Sequence, residues 1–182
     1  MRYAQITPFE VCNGKGAGVS LFTQGCHFQC KGCFNQDAWD FCGGKEWTKE
    51  VENKFFELID RPYIKRISIL GGEPLANENV HTVLSLLKKI KNRFPEKSIW
   101  LYTGYIFEEI CAYFCNQSLY NLLRNAKEHN IWSNIQYIDV LVDGKFIEEE
   151  KDITLLFRGS KNQRLIDMQK SIKEQKIVLY NN

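Results

Sequence analysis

The chain has 182 residues, of which 44% are hydrophobic and 25% charged, and this composition excludes a disordered, collagen-like or coiled-coil protein. Its 24 basic and 22 acidic residues leave a formal net charge of +2, too small for the broad positive field that holds nucleic acid or an anionic membrane surface. No apolar run reaches the roughly 18 residues of a membrane-spanning helix, and Met1 to Glu10 lacks the sections of a signal peptide. One cytoplasmic domain covering 1–182 is therefore expected, large enough to bury a core without disulfide staples.

In chain order, Val19 to Thr23 is a short β-rich run ending at Gly25, followed by an irregular segment rich in cysteine and glycine through Gly44. Thr48 is placed to cap a helix over Glu50 to Asp60. The long irregular segment ahead of it is of the kind that usually carries function. Ile64 to Leu70 reads as a strand stopped by Gly71-Gly72-Glu73-Pro74, a strong breaker. Val80, Val83, Leu84, Leu87, Ile90 and Phe94 then keep the 3.6-residue period of an amphipathic helix, with Lys88, Lys89, Lys91 and Arg93 mostly toward solvent and Pro95 just past the end. Ser98 to Tyr102 is the next predicted strand, with Thr103-Gly104 as its exit. Glu108 to about Asn130 reads as helix in two pieces, and Ile138 to Val142 as a strand stopped by Asp143-Gly144. Thr154 to Phe157 and Lys176 to Tyr180 are weaker strand candidates. Strands alternating with helices imply βα units on a parallel sheet, whose ligands collect beyond the carboxyl ends of the strands. The turns after Leu70, Tyr102 and Val142 would then share one rim with the cysteine loop.

Seven cysteines are present, an odd number that argues against a closed disulfide framework, and clustered thiols in a reducing compartment point to metal or redox chemistry. Three of them, Cys26, Cys30 and Cys33, have the spacing Cys-x3-Cys-x2-Cys, with Gly25 and Gly32 relaxing the turns. A closed zinc site wants four protein ligands; His27 is strained as a fourth by its adjacency to Cys26, which leaves Cys42 as the remaining candidate, and structural zinc is the lesser reading. Three cysteines at a four-iron cluster leave one iron open, and an open metal position is where a substrate or cofactor coordinates.

The triplet resembles the signature of the radical S-adenosylmethionine (SAM) superfamily, with the aromatic usually found just before the last cysteine displaced to Phe34. The resemblance implies a 4Fe-4S cluster on Cys26, Cys30 and Cys33 whose fourth iron is chelated by SAM, and reductive cleavage of SAM to methionine and a 5'-deoxyadenosyl radical. Gly71-Gly72-Glu73-Pro74 matches the turn by which that superfamily supports the SAM amino group through backbone carbonyls and a carboxylate; glycines admit close approach, and an ammonium wants such acceptors.

A narrower resemblance covers most of the chain. Cys26 to Trp39, Ile99 to Tyr105, Val140 to Phe146, Phe157 to Gln163 and the segment Asn13-Gly14-Lys15-Gly16 look like the family of activating proteins for anaerobic (class III) ribonucleoside-triphosphate reductase. That likeness implies an open, partial βα barrel of about five or six units, installation of a glycyl radical on the large reductase subunit, and a low-potential electron donor such as flavodoxin or ferredoxin. It also implies SAM contacts from Gly32, Cys33 and Phe34 at the adenine end, from Gly71, Gly72 and Glu73 at the methionine end, and from Thr103, Asp143 and Lys145. With the chemistry carried by cofactors, no side-chain acid or base is expected. Arg158, Ser160, Asn162 and Gln163 are candidates for SAM or partner contacts.

The family pattern thins at about 111–135, read as a helical insertion in which Cys111 and Cys115 share a helix face. These two, with Cys12 and Cys42, are expected to pack inward, as free cysteines usually do. His81 and His129 are expected to be exposed or capping. Exposed aromatics at Trp39, Phe41 and Trp47 are candidates for the partner interface. The alternatives are an activase of another glycyl-radical enzyme such as pyruvate formate-lyase, a small-molecule radical SAM enzyme of deazapurine synthesis, and a non-catalytic iron–sulfur or zinc interaction module.

Overall fold

The computed structural model describes residues 1–115 and 135–181, with backbone alone at 112–115. The strands are β1 (Arg2–Glu10), β2 (Gly18–Thr23), β3 (Lys45–Glu46), β4 (Arg66–Gly71), β5 (Ser98–Tyr102), β6 (Val140–Asp143) and β7 (Arg164–Asp167). The helices are α1 (Lys49–Ile59), α2 (Asn77–Arg93), α3 (Phe107–Cys115) and α4 (Met168–Glu174). Among the described residues the strands form one mixed sheet in the order β3-β1-β2-β4-β5-β6-β7.

Strands β2, β4, β5 and β6 run parallel, while β1 and β3 on one side and β7 on the other are antiparallel. Four parallel strands thus stand where five or six βα units were expected. The connection 11–17 is too short for a crossover, which forces β1 back antiparallel onto β2.

Each parallel strand alternates with a period of two. Across the sheet, Leu21, Ile69, Leu101, Leu141 and Ile166 stand in register, all buried on the face that packs Phe55, Phe56 and Ile59 of α1, Val83, Leu87 and Ile90 of α2, Phe107 and Ile110 of α3 and Met168 of α4. Ser20, Ser68, Trp100 and Val140 form the adjacent row and face the other way. There Trp100 packs with Phe157 and Tyr180, and the fully buried Arg66 pairs with Glu10 at 2.7 Å.

Several predicted elements have their expected bounds: Thr48 caps α1, its hydroxyl accepting from Val51 N, and β5 spans Ser98–Tyr102. Others are corrected. Strands β1 and β7 and helix α4 had no counterpart in the sequence reading, because β1 is polar at many positions and touches the core chiefly through Tyr3 and Ile6, and β7 has only four residues. Residues 154–157 form turns, and 176–180 hold a single bridge, Leu179 to Ile166.

Cys111 is buried as expected, but Cys12 and Cys42 are exposed, both lying in turns with no apolar face to bury. His81 is exposed. Trp39, Phe41 and Trp47 are half-buried rather than exposed: Trp47 packs edge-on against Tyr3 and Phe55, and Phe41 lies against the His27 ring. The expected insertion core, His129 and the Cys115 side chain lie outside the described residues. No described helix is long and apolar enough to cross a membrane.

Candidate cluster and cofactor site

The carboxyl ends of β2, β4, β5 and β6 meet at one cavity of about 150 Å³, the inner cavity, lined by Cys26, Cys30, Cys33, Gly71, Gly72, Glu73, Thr103, Gly104, Gly144 and Lys145, among others. Backbone bonds set the cysteine loop against the glycine turn: Gly72 N donates to Thr23 O (2.8 Å) and Glu73 N to Gly25 O (2.7 Å). A Cβ at Gly72 would stand 2.4 Å from Gly25 O, so this contact admits only glycine. The loop is closed at its base by Gly25 N to Ala38 O (2.8 Å) and Cys26 N to Trp39 O (3.0 Å). Its middle is held by Phe28, whose ring packs edge-on against Tyr105 (4.7 Å between centroids) and lies under the Lys145 ammonium (4.6 Å).

Glu73 is buried, at 2% exposure. Its Oε1 accepts from the Thr103 hydroxyl (2.8 Å) and Leu75 N (2.8 Å), and its Oε2 from Gly104 N (2.7 Å). Burial pushes its carboxyl up to about 7 against the opposing pull of those donors. The carboxylate therefore ties the exit of β4 to the exit of β5. Thr103 is consumed in the same knot, since its hydroxyl also accepts from Tyr105 N (3.2 Å).

The three thiols line the inner cavity together. Burial pushes the Cys26 and Cys30 thiols up, reinforced at Cys26 by Glu73 and at Cys30 by Cys33. Among the described residues no three His, Cys, Asp or Glu side chains converge on a single ion. Soft sulfur donors spread around one cavity fit an iron–sulfur cluster, in which each thiolate binds a different iron. His27 turns away from the thiols, to Glu78 at 3.2 Å.

Gly32 and Phe34 line a neighbouring outer cavity of about 360 Å³, which shares Cys33, Asn35, Tyr102, Phe146 and Gln163 with the inner one. Phe34 is 98% exposed.

Asp143 lines neither cavity. It is fully buried, accepting from Phe107 N (2.8 Å) and pairing with Arg164, which also binds Glu108. Two residues that hold the site were not singled out by sequence reasoning. Phe28 was visible as an aromatic between two loop cysteines. Buried Asn79 gave no signal beyond one polar position near the start of an amphipathic helix; its amide donates to Gln24 O and Glu73 O, both at 3.0 Å.

The α/β sheet carries three thiols at its carboxyl rim, and the family model for a 4Fe-4S single cluster domain, which matches residues 12–166, places the chain among iron–sulfur proteins. Over 165 residues the chain is 41% identical to the anaerobic ribonucleoside-triphosphate reductase-activating protein of Vibrio cholerae, with 90% of this chain and 96% of that protein covered. The protein of the same name from Escherichia coli K12 is 36% identical at the same coverage, and that of bacteriophage T4 is 35% identical over 91% of this chain and 93% of its own length. The chain belongs to the family of anaerobic ribonucleoside-triphosphate reductase-activating proteins.

Proposed function

We propose that Cys26, Cys30 and Cys33 hold a 4Fe-4S cluster and that SAM binds beside it, completing the coordination of the fourth iron from the inner cavity. Both bound, they supply the one-electron chemistry that leaves a glycyl radical on the large subunit of anaerobic ribonucleoside-triphosphate reductase, the protein this chain activates. A low-potential donor such as flavodoxin or ferredoxin delivers the electron, in the cytoplasm. The sheet is read as the incomplete barrel of the radical SAM superfamily. The observation that carries the reading is the convergence of three thiols of one loop, the Gly71–Glu73 turn and Lys145 on a single cavity.

The chain's own residues bind and orient. Gly71 and Gly72 bring backbone against the ligand's amino end, while Glu73 and Thr103 lock that turn to the exit of β5. The Lys145 ammonium, held over the Phe28 ring, receives the ligand carboxylate. Gly32 and Phe34 frame the adenine end, where the open Phe34 ring offers a stacking face. Asp143, committed to Arg164 and Phe107 N, holds the corner from which Lys145 extends rather than meeting the ribose.

The test mixes the reduced, iron- and sulfide-reconstituted protein and SAM with the reductase large subunit under anaerobic conditions. A glycyl radical signal in electron paramagnetic resonance is expected, together with 5'-deoxyadenosine. Bound zinc at one per chain with no 5'-deoxyadenosine would instead establish an interaction module.

A further inference from the structure

The segment Arg158 to Gln163 folds back over the turn that carries Lys145. The Gln163 amide is used at both ends: Nε2 donates to Gly144 O (3.0 Å), and Oε1 accepts from Gly159 N (2.8 Å) and Ser160 N (3.2 Å). Its neighbour Asn162 donates through Nδ2 to Lys145 O (2.8 Å). From the opposite side, Gly144 N donates to Tyr105 O (3.1 Å), and the positive φ of Gly144, +93°, is a conformation that only glycine adopts without strain. The Gly144–Lys145 backbone is therefore gripped from two elements, although Lys145 itself is solvent-exposed. Gln163 also lines both the inner and the outer cavity, so its side chain forms part of the wall between them.

A lysine is a flexible point charge, and its value in binding depends on how much freedom it must give up. The exposed Lys145 ammonium is placed by the Phe28 ring beneath it and by the direction in which its backbone launches the side chain. That direction is set by the two carbonyls that Gln163 and Asn162 hold.

We infer that Gln163, assisted by Asn162, is a positioning residue that fixes the Gly144–Lys145 turn, so that the Lys145 ammonium is presented to a carboxylate in the inner cavity. The inference rests on the ligand role proposed for Lys145. Gln163 is needed as an amide: a glutamate there keeps the acceptor for Gly159 N and Ser160 N but has no donor for the Gly144 carbonyl.

Equilibrium binding of SAM to the cluster-reconstituted protein tests this in a double-mutant cycle of Lys145→Ala, Gln163→Ala and their combination, with Gln163→Glu alongside. Cluster content and the thermal midpoint of each variant serve as controls for folding. Lys145→Ala and Gln163→Ala are each expected to weaken SAM by about tenfold, the loss of one hydrogen bond to a charged group. The double variant should bind no more weakly than Lys145→Ala alone. Gln163→Glu should reproduce the Gln163→Ala loss with its cluster content retained, and it replaces that variant in the cycle if Gln163→Ala does not fold. At saturating SAM, 5'-deoxyadenosine formation should fall less than SAM affinity in each single variant. Losses that multiply to about a hundredfold in the double variant would show that Gln163 acts independently of Lys145 and overturn the inference while leaving the ligand role of Lys145 intact. Unchanged SAM affinity in Lys145→Ala would sink that ligand role and the clamp with it.

Discussion

Glu73 is the acid that the fold treats most unusually. It is buried among three donors yet raised to about 7, so its neutral form is favoured in the folded state relative to the unfolded chain, where its ordinary value is 4.5. A buried acid that prefers its proton stabilises the fold fully below the unfolded value, and that stability is lost as pH rises toward the folded one. The cluster-free protein is therefore expected to lose urea resistance between about pH 5 and pH 7, with Glu73→Gln flattening that slope; an equal slope in both proteins would contradict the assignment. The cysteines divide by the same local logic. Cys26, Cys30 and Cys33 open on one cavity, whereas Cys111 is packed in the core. Alanine at any of the first three should abolish the visible absorbance of the reconstituted cluster, and Cys111→Ala should keep it. Loss of the cluster in Cys111→Ala would require a different ligand set.

At the level of elements, the decisive feature is how the cysteine loop is seated. It has little regular structure beyond the short turn Gln36–Ala38, and it owes its shape to the exits of β4, β5 and β6. Gly104 is part of that seat: a Cβ there would stand 2.4 Å from the Phe28 ring. Gly104→Ala should displace Phe28 and lower cluster occupancy while far-ultraviolet circular dichroism stays unchanged, since the strands and helices do not depend on it. An unaltered iron content would show that the loop can reseat. The Thr48 cap of α1 lies away from the site, and Thr48→Ala should cost about 1 kcal/mol in chemical unfolding without touching iron content.

Across the whole molecule, the sheet has one apolar face under the helices and a second face whose centre is polar. Arg66, with no exposed surface, pairs there with Glu10 and donates to Asn13 O at 2.6 Å; Asn13 O also accepts from the Ser68 hydroxyl. Through this cluster β1, the 11–17 connection and β4 become one unit. Burial alone would raise the Glu10 carboxyl, but the Ser20 hydroxyl, Asn13 N and Arg66 together outweigh it, and its pKa is lowered. A lowered acid contributes stability above its unfolded value, lost as pH falls through the folded one, so this window lies on the acid side of the Glu73 window. Glu10→Gln should destabilise the protein by about 3 kcal/mol at neutral pH, because it leaves a buried guanidinium without its counter-charge, and should remove part of the loss on acidification. Equal acid sensitivity in the variant and the parent would exclude this role.

Residue order alone determined the family and the candidate donors. Three thiols within eight residues, a Gly-Gly-Glu-Pro breaker after an apolar run and an Asp-Gly-Lys turn are local patterns, and local patterns are legible because chain spacing limits what neighbouring residues can reach. The parallel strands were legible for the same reason, since each is a short, largely apolar run closed by a turn. What each site residue touches was decided in three dimensions. Glu73 and Asp143 look alike in sequence, each an acid at a strand exit, yet one lines the cavity while the other is buried against Arg164. Strand β1 is polar at many positions and β7 has only four residues, so their own residues carry a weak signal. The contacts made by Phe28 and Asn79 join segments far apart in the chain, Phe28 to Lys145 and Asn79 to Gln24, and packing distant segments together is the work of the tertiary fold rather than of any local pattern.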